Sequence, residues 1–169
     1  MRNATIIKEV PKQEVTMSPK KLFNTFAKAE AVTWTLLISA LIARALGLDP
    51  LTVAIAGSIH GAVFLGYAVT AALTGVNQRW GFGKTALAVA LAIVPFATIP
   101  FEMAVKKNGS LEGSWRTTTS DDPRDKGFID RLFRWFIARP ITLVLVIVVG
   151  LTALFVLLVS LGSPTTWFD

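Results

Sequence analysis

From Ile141 to Leu161 the chain runs twenty-one residues, ITLVLVIVVGLTALFVLLVSL, without a charge. A helix of that length rises roughly 30 Å, the thickness of a bilayer's hydrocarbon core. In a soluble domain one face of a helix meets water and carries polar residues, and this segment has no such face. The chain therefore reads as an integral membrane protein, whose spans must satisfy their own backbone polar groups as helices.

Three further segments read as spans of about the twenty residues a crossing helix needs. The first lies in Phe26–Leu46, interrupted only by Lys28, Glu30 and Arg44. The second, Leu51–Leu73, holds no acidic or basic residue except His60. The third, Thr85–Val105, is closed by Glu102 and Lys106-Lys107, and its two prolines, Pro95 and Pro100, are expected to bend it. The expected fold is an all-α membrane protein with about four transmembrane helices. A polar N-terminal arm (1–17) precedes a three-span membrane domain (18–107), and a basic loop (108–140), a fourth transmembrane helix (141–161) and a short tail (162–169) follow. Ser18-Pro19 reads as an N-cap with proline at the first helical position, so the first helix should start before the membrane. Gly47–Pro50 and Gly75–Gly83 read as tight connections. No internal repeat supports an inverted-repeat transporter.

Charge is confined to the connections. The chain is 53% hydrophobic and 17% charged, with a net charge of +6. Its basic residues flank apolar runs, which points to anionic lipid head groups and away from nucleic acid. Absence of cysteine excludes disulfides, iron–sulfur clusters and thiolate zinc sites. The first nineteen residues contain no apolar stretch of a secretory signal. Asn3-Ala4-Thr5 matches a glycosylation acceptor, a match that chance supplies readily. No glycine-rich phosphate loop, paired-histidine spacing or serine–histidine–acid set is present, so an enzyme is not expected, and neither is a cofactor or metal. A lone histidine also offers haem no second axial ligand.

Orientation is contradictory for four spans. Basic residues near spans collect on the cytoplasmic side. One side receives six, Lys12, Lys20, Lys21, Lys28, Arg79 and Lys84, while Arg44 and the eight of the long connection Lys106–Pro140 give the other side nine. The last span places the long loop in the cytoplasm, and the first span places its own N-terminus there. The expectation adopted is a cytoplasmic long loop; three spans with one re-entrant segment remove the conflict.

A charge in hydrocarbon costs about 2.5–3.5 kcal/mol even on lenient scales, so each needs a partner or a purpose. His60 falls about 15 Å into the second span, near the midplane, with Phe64 and Tyr67 on the same face. Two roles fit it: a proton-relay or ligand site, or a neutral imidazole bonded to a neighbouring helix. Four spans bring Arg44 and Glu102 to one side, and Glu30 with Lys84 or Arg79 to the other, which suggests two inter-helix ion pairs. Gly57 and Gly61 form a G-x-x-x-G at which two backbones can approach.

Phe128–Arg139 has helical periodicity, with Phe128, Ile129, Leu132, Phe133, Phe136 and Ile137 apolar and Asp130, Arg131 and Arg134 opposite. Either it lies in the head-group layer or it extends the last span, with its arginines snorkelling. Arg131, Arg134 and Arg139 are an interfacial anchor on both readings.

Three motifs carry a resemblance. Phe26 to Ala31 reads F-x-x-x-E-A, His60-Gly61 is followed by Phe64 and Tyr67, and Ile99-Pro100-Phe101-Glu102 precedes a basic stop. In these the stretch from about Leu22 to Lys107 resembles a small integral-membrane family of unknown function found in bacteria, mainly actinobacteria. The resemblance implies a multi-pass protein of the bacterial plasma membrane. It supplies no reaction or cofactor, and the last span departs from the family's usual three. In size and character the chain is also similar to accessory subunits of the actinobacterial cytochrome bc–cytochrome oxidase respiratory supercomplex. The expected function is a non-catalytic accessory or stabilising subunit, with the lipid bilayer and other membrane-protein subunits as partners. The alternative is a small proton-coupled carrier or conducting protein using His60, Glu30 and Glu102. A scaffold on the lipid surface, held by the basic loop, is the third.

Overall fold

The computed structural model describes residues 17–47 and 51–160. The N-terminal arm as far as Thr16, most of the Gly47–Pro50 connection and the tail after Ser160 lie outside them, as does the acceptor sequence at Asn3. Six α-helices follow in order: α1 Pro19–Ala45, α2 Leu51–Asn77, α3 Phe82–Ala90, α4 Thr98–Lys107, α5 Phe128–Ile137 and α6 Pro140–Ser160. Two 3₁₀ turns, Leu91–Ile93 and Pro123–Lys126, complete the described elements.

The start of α1 follows the sequence expectation. Ser18 caps it, its hydroxyl accepting from the Lys21 backbone N–H at 3.2 Å, and Pro19 occupies the first turn, where no donor is missed. α2 runs antiparallel to α1. The Phe23 and Tyr67 rings lie 5.6 Å apart, and Thr33 meets His60 further along both helices. At its C-terminus α2 turns through Arg79 at φ 53°, with Trp80 N–H returning to the Gly75 carbonyl at 2.8 Å. This is a left-handed cap at a residue other than glycine.

The third apolar segment is not one continuous helix. Pro95 forces Val94 out of helical geometry (φ −100°, ψ 122°), and Phe96 takes a left-handed φ of 64°. The chain then reverses. Pro100 falls in the first turn of α4, where a helix has no partner for its N–H groups in any case. The prolines thus break the segment where bending was expected. The apolar stretch Phe82–Ile93 has twelve residues and rises about 18 Å, short of the hydrocarbon thickness.

Contacts with α1 locate the resulting hairpin. Passing along α1, Lys20 meets Glu112, Asn24 meets Glu102, Glu30 meets Thr98 and Trp34 meets Ala92. The mouth of the hairpin is closed by Trp80 Nε1 donating to the Ser110 carbonyl at 3.1 Å and Lys84 Nζ donating to Ser110 Oγ at 2.9 Å. Both ends of the hairpin therefore sit at one end of the molecule, beside the start of α1 and the end of α2. The core gathers in this half: Phe23, Ala27, Tyr67, Ala88, Val105 and Leu111 are buried, with Trp80 and Phe101 packed against them.

Among the described residues, α1 and α2 are each long and apolar enough to cross a membrane. A third crossing is available where Phe128–Ile137 and Pro140–Ala153, bent by 108°, count as one. The sharp bend also means that α5 does not prolong α6. No described side chain of α6 is fully buried.

Candidate functional site

Two polar groupings are built into this frame, one inside the helix bundle and one over its end.

The inner grouping is organised by α1. Glu30, Thr33 and Trp34 share one side of that helix by i+3 and i+4 spacing. Glu30 is fully buried, and its Oε2 accepts from Thr98 Oγ1 at 2.9 Å across to α4. Among the described residues its Oε1 has no hydrogen-bond partner, and neither has the buried hydroxyl of Tyr67. Thr33 Oγ1 donates to the Glu30 carbonyl at 3.0 Å and lies 3.1 Å from His60 Nδ1. The His60 ring packs on Trp34, with centroids 4.4 Å apart. Trp34 Nε1 in turn donates to the Ala92 carbonyl at 3.2 Å, beside the helix break at Pro95. One turn of α1 thus holds both the histidine and the tip of the hairpin.

The ion pairs expected for four spans do not form. Because the hairpin returns, Glu102 lies beside Asn24, whose Nδ2 donates to it at 3.0 Å, and Arg44 is exposed near the opposite end of α1. Glu30 takes Thr98 as its partner, Arg79 pairs with Asp122 and Asp125, and Lys84 lies over the Trp80 ring at 4.6 Å. Among the described residues no hydrogen bond joins the Asn24–Glu102 pair to the Glu30–Thr98 pair.

Close helix approach also falls elsewhere than at Gly57 and Gly61. A Cβ on Gly57 meets only the Leu37 Cδ1 methyl at 3.9 Å, and one on Gly61 meets open space. At Gly66 it lands 2.2 Å from Phe26, and at Gly75 it lands 2.4 Å from Thr85 Oγ1. Those two glycines let α1 and α3 lie against α2.

The outer grouping centres on Asp125, which is 2% exposed. Ser120 donates to its Oδ2 from both N–H (2.7 Å) and hydroxyl (2.6 Å). Three guanidinium groups converge on Oδ1: Arg116 at 2.8 Å, Arg79 at 2.9 Å and Arg134 at 3.3 Å. The Ser120 hydrogen bonds, with Arg79 and Arg116 adding to them, hold the Asp125 carboxyl down at about 2. Arg116 reaches further, donating to the Val76 and Asn77 carbonyls at 2.6 and 2.8 Å and to Asp130 at 2.6 Å. Free carbonyls at a helix C-terminus favour a cation, so Arg116 seats the long loop on the end of α2. Ion pairs from Asp122 and Asp125 also fix Arg79 in its strained turn.

This arrangement revises the expected anchor. Arg134 is buried, pairing with Asp125 and donating to its carbonyl at 2.6 Å, so it faces the protein and not the head groups. Arg131 is exposed, and Arg139 is exposed with its guanidinium 4.8 Å from the Trp135 ring centre. With Asp130 and Arg134 drawn inward, α5 turns Phe128, Ile129, Leu132 and Trp135 outward. The helix is amphipathic as its sequence indicates, but Phe133 of its apolar set is buried against the protein while Phe128, Ile129 and Leu132 face away from it.

Sequence reasoning missed Thr98, Asn24 and the Asp125 cluster. Thr33 and Trp34 were detectable as helical neighbours of Glu30. Asp122, Asp125 and Asp130, spaced among the arginines of the long connection, signalled internal pairing.

The sequence profile of a domain of unknown function, DUF3817, matches residues 20–107, just over half of the chain, which therefore belongs to that family. A Streptomyces coelicolor protein described as a membrane protein is 33% identical over 93 residues, 54% of this chain. The chain spans only 11% of that relative's length. No solved structure matches.

Proposed function

We propose that this member of the DUF3817 family is a non-catalytic accessory subunit that docks on a larger membrane complex through the right-angled pair α5–α6. The observation that carries the reading is the buried Arg134–Asp125 pair. It fixes α5 to the bundle with Phe128 and Ile129 turned outward, 71% and 65% exposed, and α6 leaves from that platform with no fully buried side chain among those described. Docking by fixed apolar faces suits a subunit whose partner lies in the same membrane. The S. coelicolor relative supports the idea from another direction, since there a stretch like this one forms a small part of a much longer chain. The respiratory cytochrome bc–oxidase supercomplex is the partner class that the sequence resemblance suggests.

The topology proposed with it has three crossings, α1, α2 and α6, and a re-entrant hairpin, α3–α4. Thirteen of the fourteen described lysines and arginines then fall in the half of the molecule that carries the long loop, leaving Arg44 alone in the other. That asymmetry supports a cytoplasmic loop in a bacterial cell and is free of the conflict of the four-span count. α5 lies in the head-group layer there, with its aromatic residues at the lipid boundary.

The test is purification from the native membrane in mild detergent by a tag on this chain, comparing wild type with Val148→Arg/Val149→Arg on exposed α6. A defined set of membrane subunits that follows the wild type and is lost from the variant supports docking. The same set on both, or none on either, refutes it.

One observation favours a second reading, a proton-coupled carrier: the Oε1 of fully buried Glu30, without a hydrogen-bond partner among the described residues, lies one helical turn from the His60–Thr33 contact. In reconstituted vesicles that reading requires proton flux lost in His60→Leu. Accessory docking requires His60→Leu still to bring down the partner.

A further inference from the structure

Two clefts lie end to end between α6 and the α1–α2 pair. One, of 290 Å³, is lined by Met17, Trp115 and Pro140; the other, of 400 Å³, by Phe26, Ala62 and Ile147. Leu22, Leu73 and Leu143 border both, so the two form one groove. We infer that this groove holds an acyl chain of one anionic phospholipid, with its head group at Lys21.

Three observations lead to this occupant. The deeper cleft lies beside Ala62, in the middle of α2 and so within the hydrocarbon layer of the proposed topology. Apolar walls that do not meet forfeit their dispersion contacts, and the material that fills them in a bilayer is lipid.

The near end of the groove is held in place. α6 begins two residues after α5, and Arg134 locks α5 to Asp125, which pins the near end of α6 against Leu22 and Leu73. A partner helix, 10–12 Å across, would have to force α6 away from that hinge, whereas a single hydrocarbon chain passes.

The mouth carries the matching charge. A third cleft, of 430 Å³, shares Met17 with the groove and is lined by Ser18, Lys20 and Lys21. The Lys20 ammonium is taken by Glu112 at 2.5 Å. That of Lys21 has no partner among the described residues and is exposed, free to meet a phosphodiester.

Native mass spectrometry of the full chain, delipidated and then titrated with phosphatidylglycerol or phosphatidylcholine, tests the inference. Wild type should hold one phosphatidylglycerol per chain, about fivefold tighter than phosphatidylcholine, the preference one lysine supplies near an anionic surface. Ala62→Phe/Ile147→Phe, which fills the deeper cleft, should bind neither. Lys21→Gln, which leaves the groove intact, should bind both lipids equally. Undiminished binding in the filled variant overturns the site, as does a second copy of the chain in place of lipid. Equal binding of the two lipids by wild type overturns the head-group assignment.

Discussion

The Asn24 carboxamide donates to the Glu102 carboxylate at 3.0 Å across seventy-eight residues of sequence. Asn24 stands in the second turn of α1, so this bond returns the end of the third apolar segment to the end of the molecule where α1 begins. Everything that follows Glu102 inherits that side, including the Asp125 cluster and the start of α6. The pair thus joins two ends that a single crossing helix would hold apart.

Glycine substitutions should separate true helix contacts from apparent ones. Gly75→Ala drives a methyl to 2.4 Å from Thr85 Oγ1 and should lower stability by roughly 1–3 kcal/mol. Gly61→Ala meets nothing within 4 Å and, by replacing glycine within a helix, should be neutral or stabilising by up to about 1 kcal/mol. Thermal unfolding of both proteins in one detergent checks the contrast.

Thr98→Val removes the hydroxyl that donates to the buried Glu30 carboxyl while keeping the side chain's shape. A destabilisation of about 1–3 kcal/mol is expected, the usual consequence of orphaning a buried polar group. Thr35→Val is the control, since that hydroxyl is exposed and donates to the Ala31 carbonyl of its own helix. It should change stability by less than about 0.5 kcal/mol.

Membrane class, the Ser18 cap and the amphipathic α5 were legible because each depends on local spacing. The hairpin was not. Hydropathy reads the same whether Pro95 and Pro100 bend a helix or break it. The outcome rests on Phe96 accepting a left-handed φ and on Trp34 reaching the Ala92 carbonyl fifty-eight residues away. Likewise, eight basic residues in one connection suggest a lipid surface until their partners are known. Arg116 and Arg134 are committed to Asp125, and net charge carries no record of that pairing.

The Asp125 cluster should make the loop acid-labile. Its carboxyl is depressed to about 2 in the folded protein, so its stabilising effect is complete above the ordinary aspartate value, about pH 4, and is lost as pH falls through about 2. Pepsin, active in this range, should cleave residues 110–127 of the wild type only at the acid end. Asp125→Asn should be cleaved there already at about pH 4, and should show faster amide exchange over the same residues at neutral pH.

The return of the hairpin can be measured directly, because the protein has no cysteine of its own. Single cysteines placed at Ser18, Gly109 and Arg44 are labelled in intact cells and in inverted vesicles with a maleimide that does not cross membranes. The account predicts that Ser18→Cys and Gly109→Cys react from the cytoplasmic side and Arg44→Cys from the other. Reaction of Ser18→Cys and Gly109→Cys from opposite sides would restore a third full crossing between them and contradict the account.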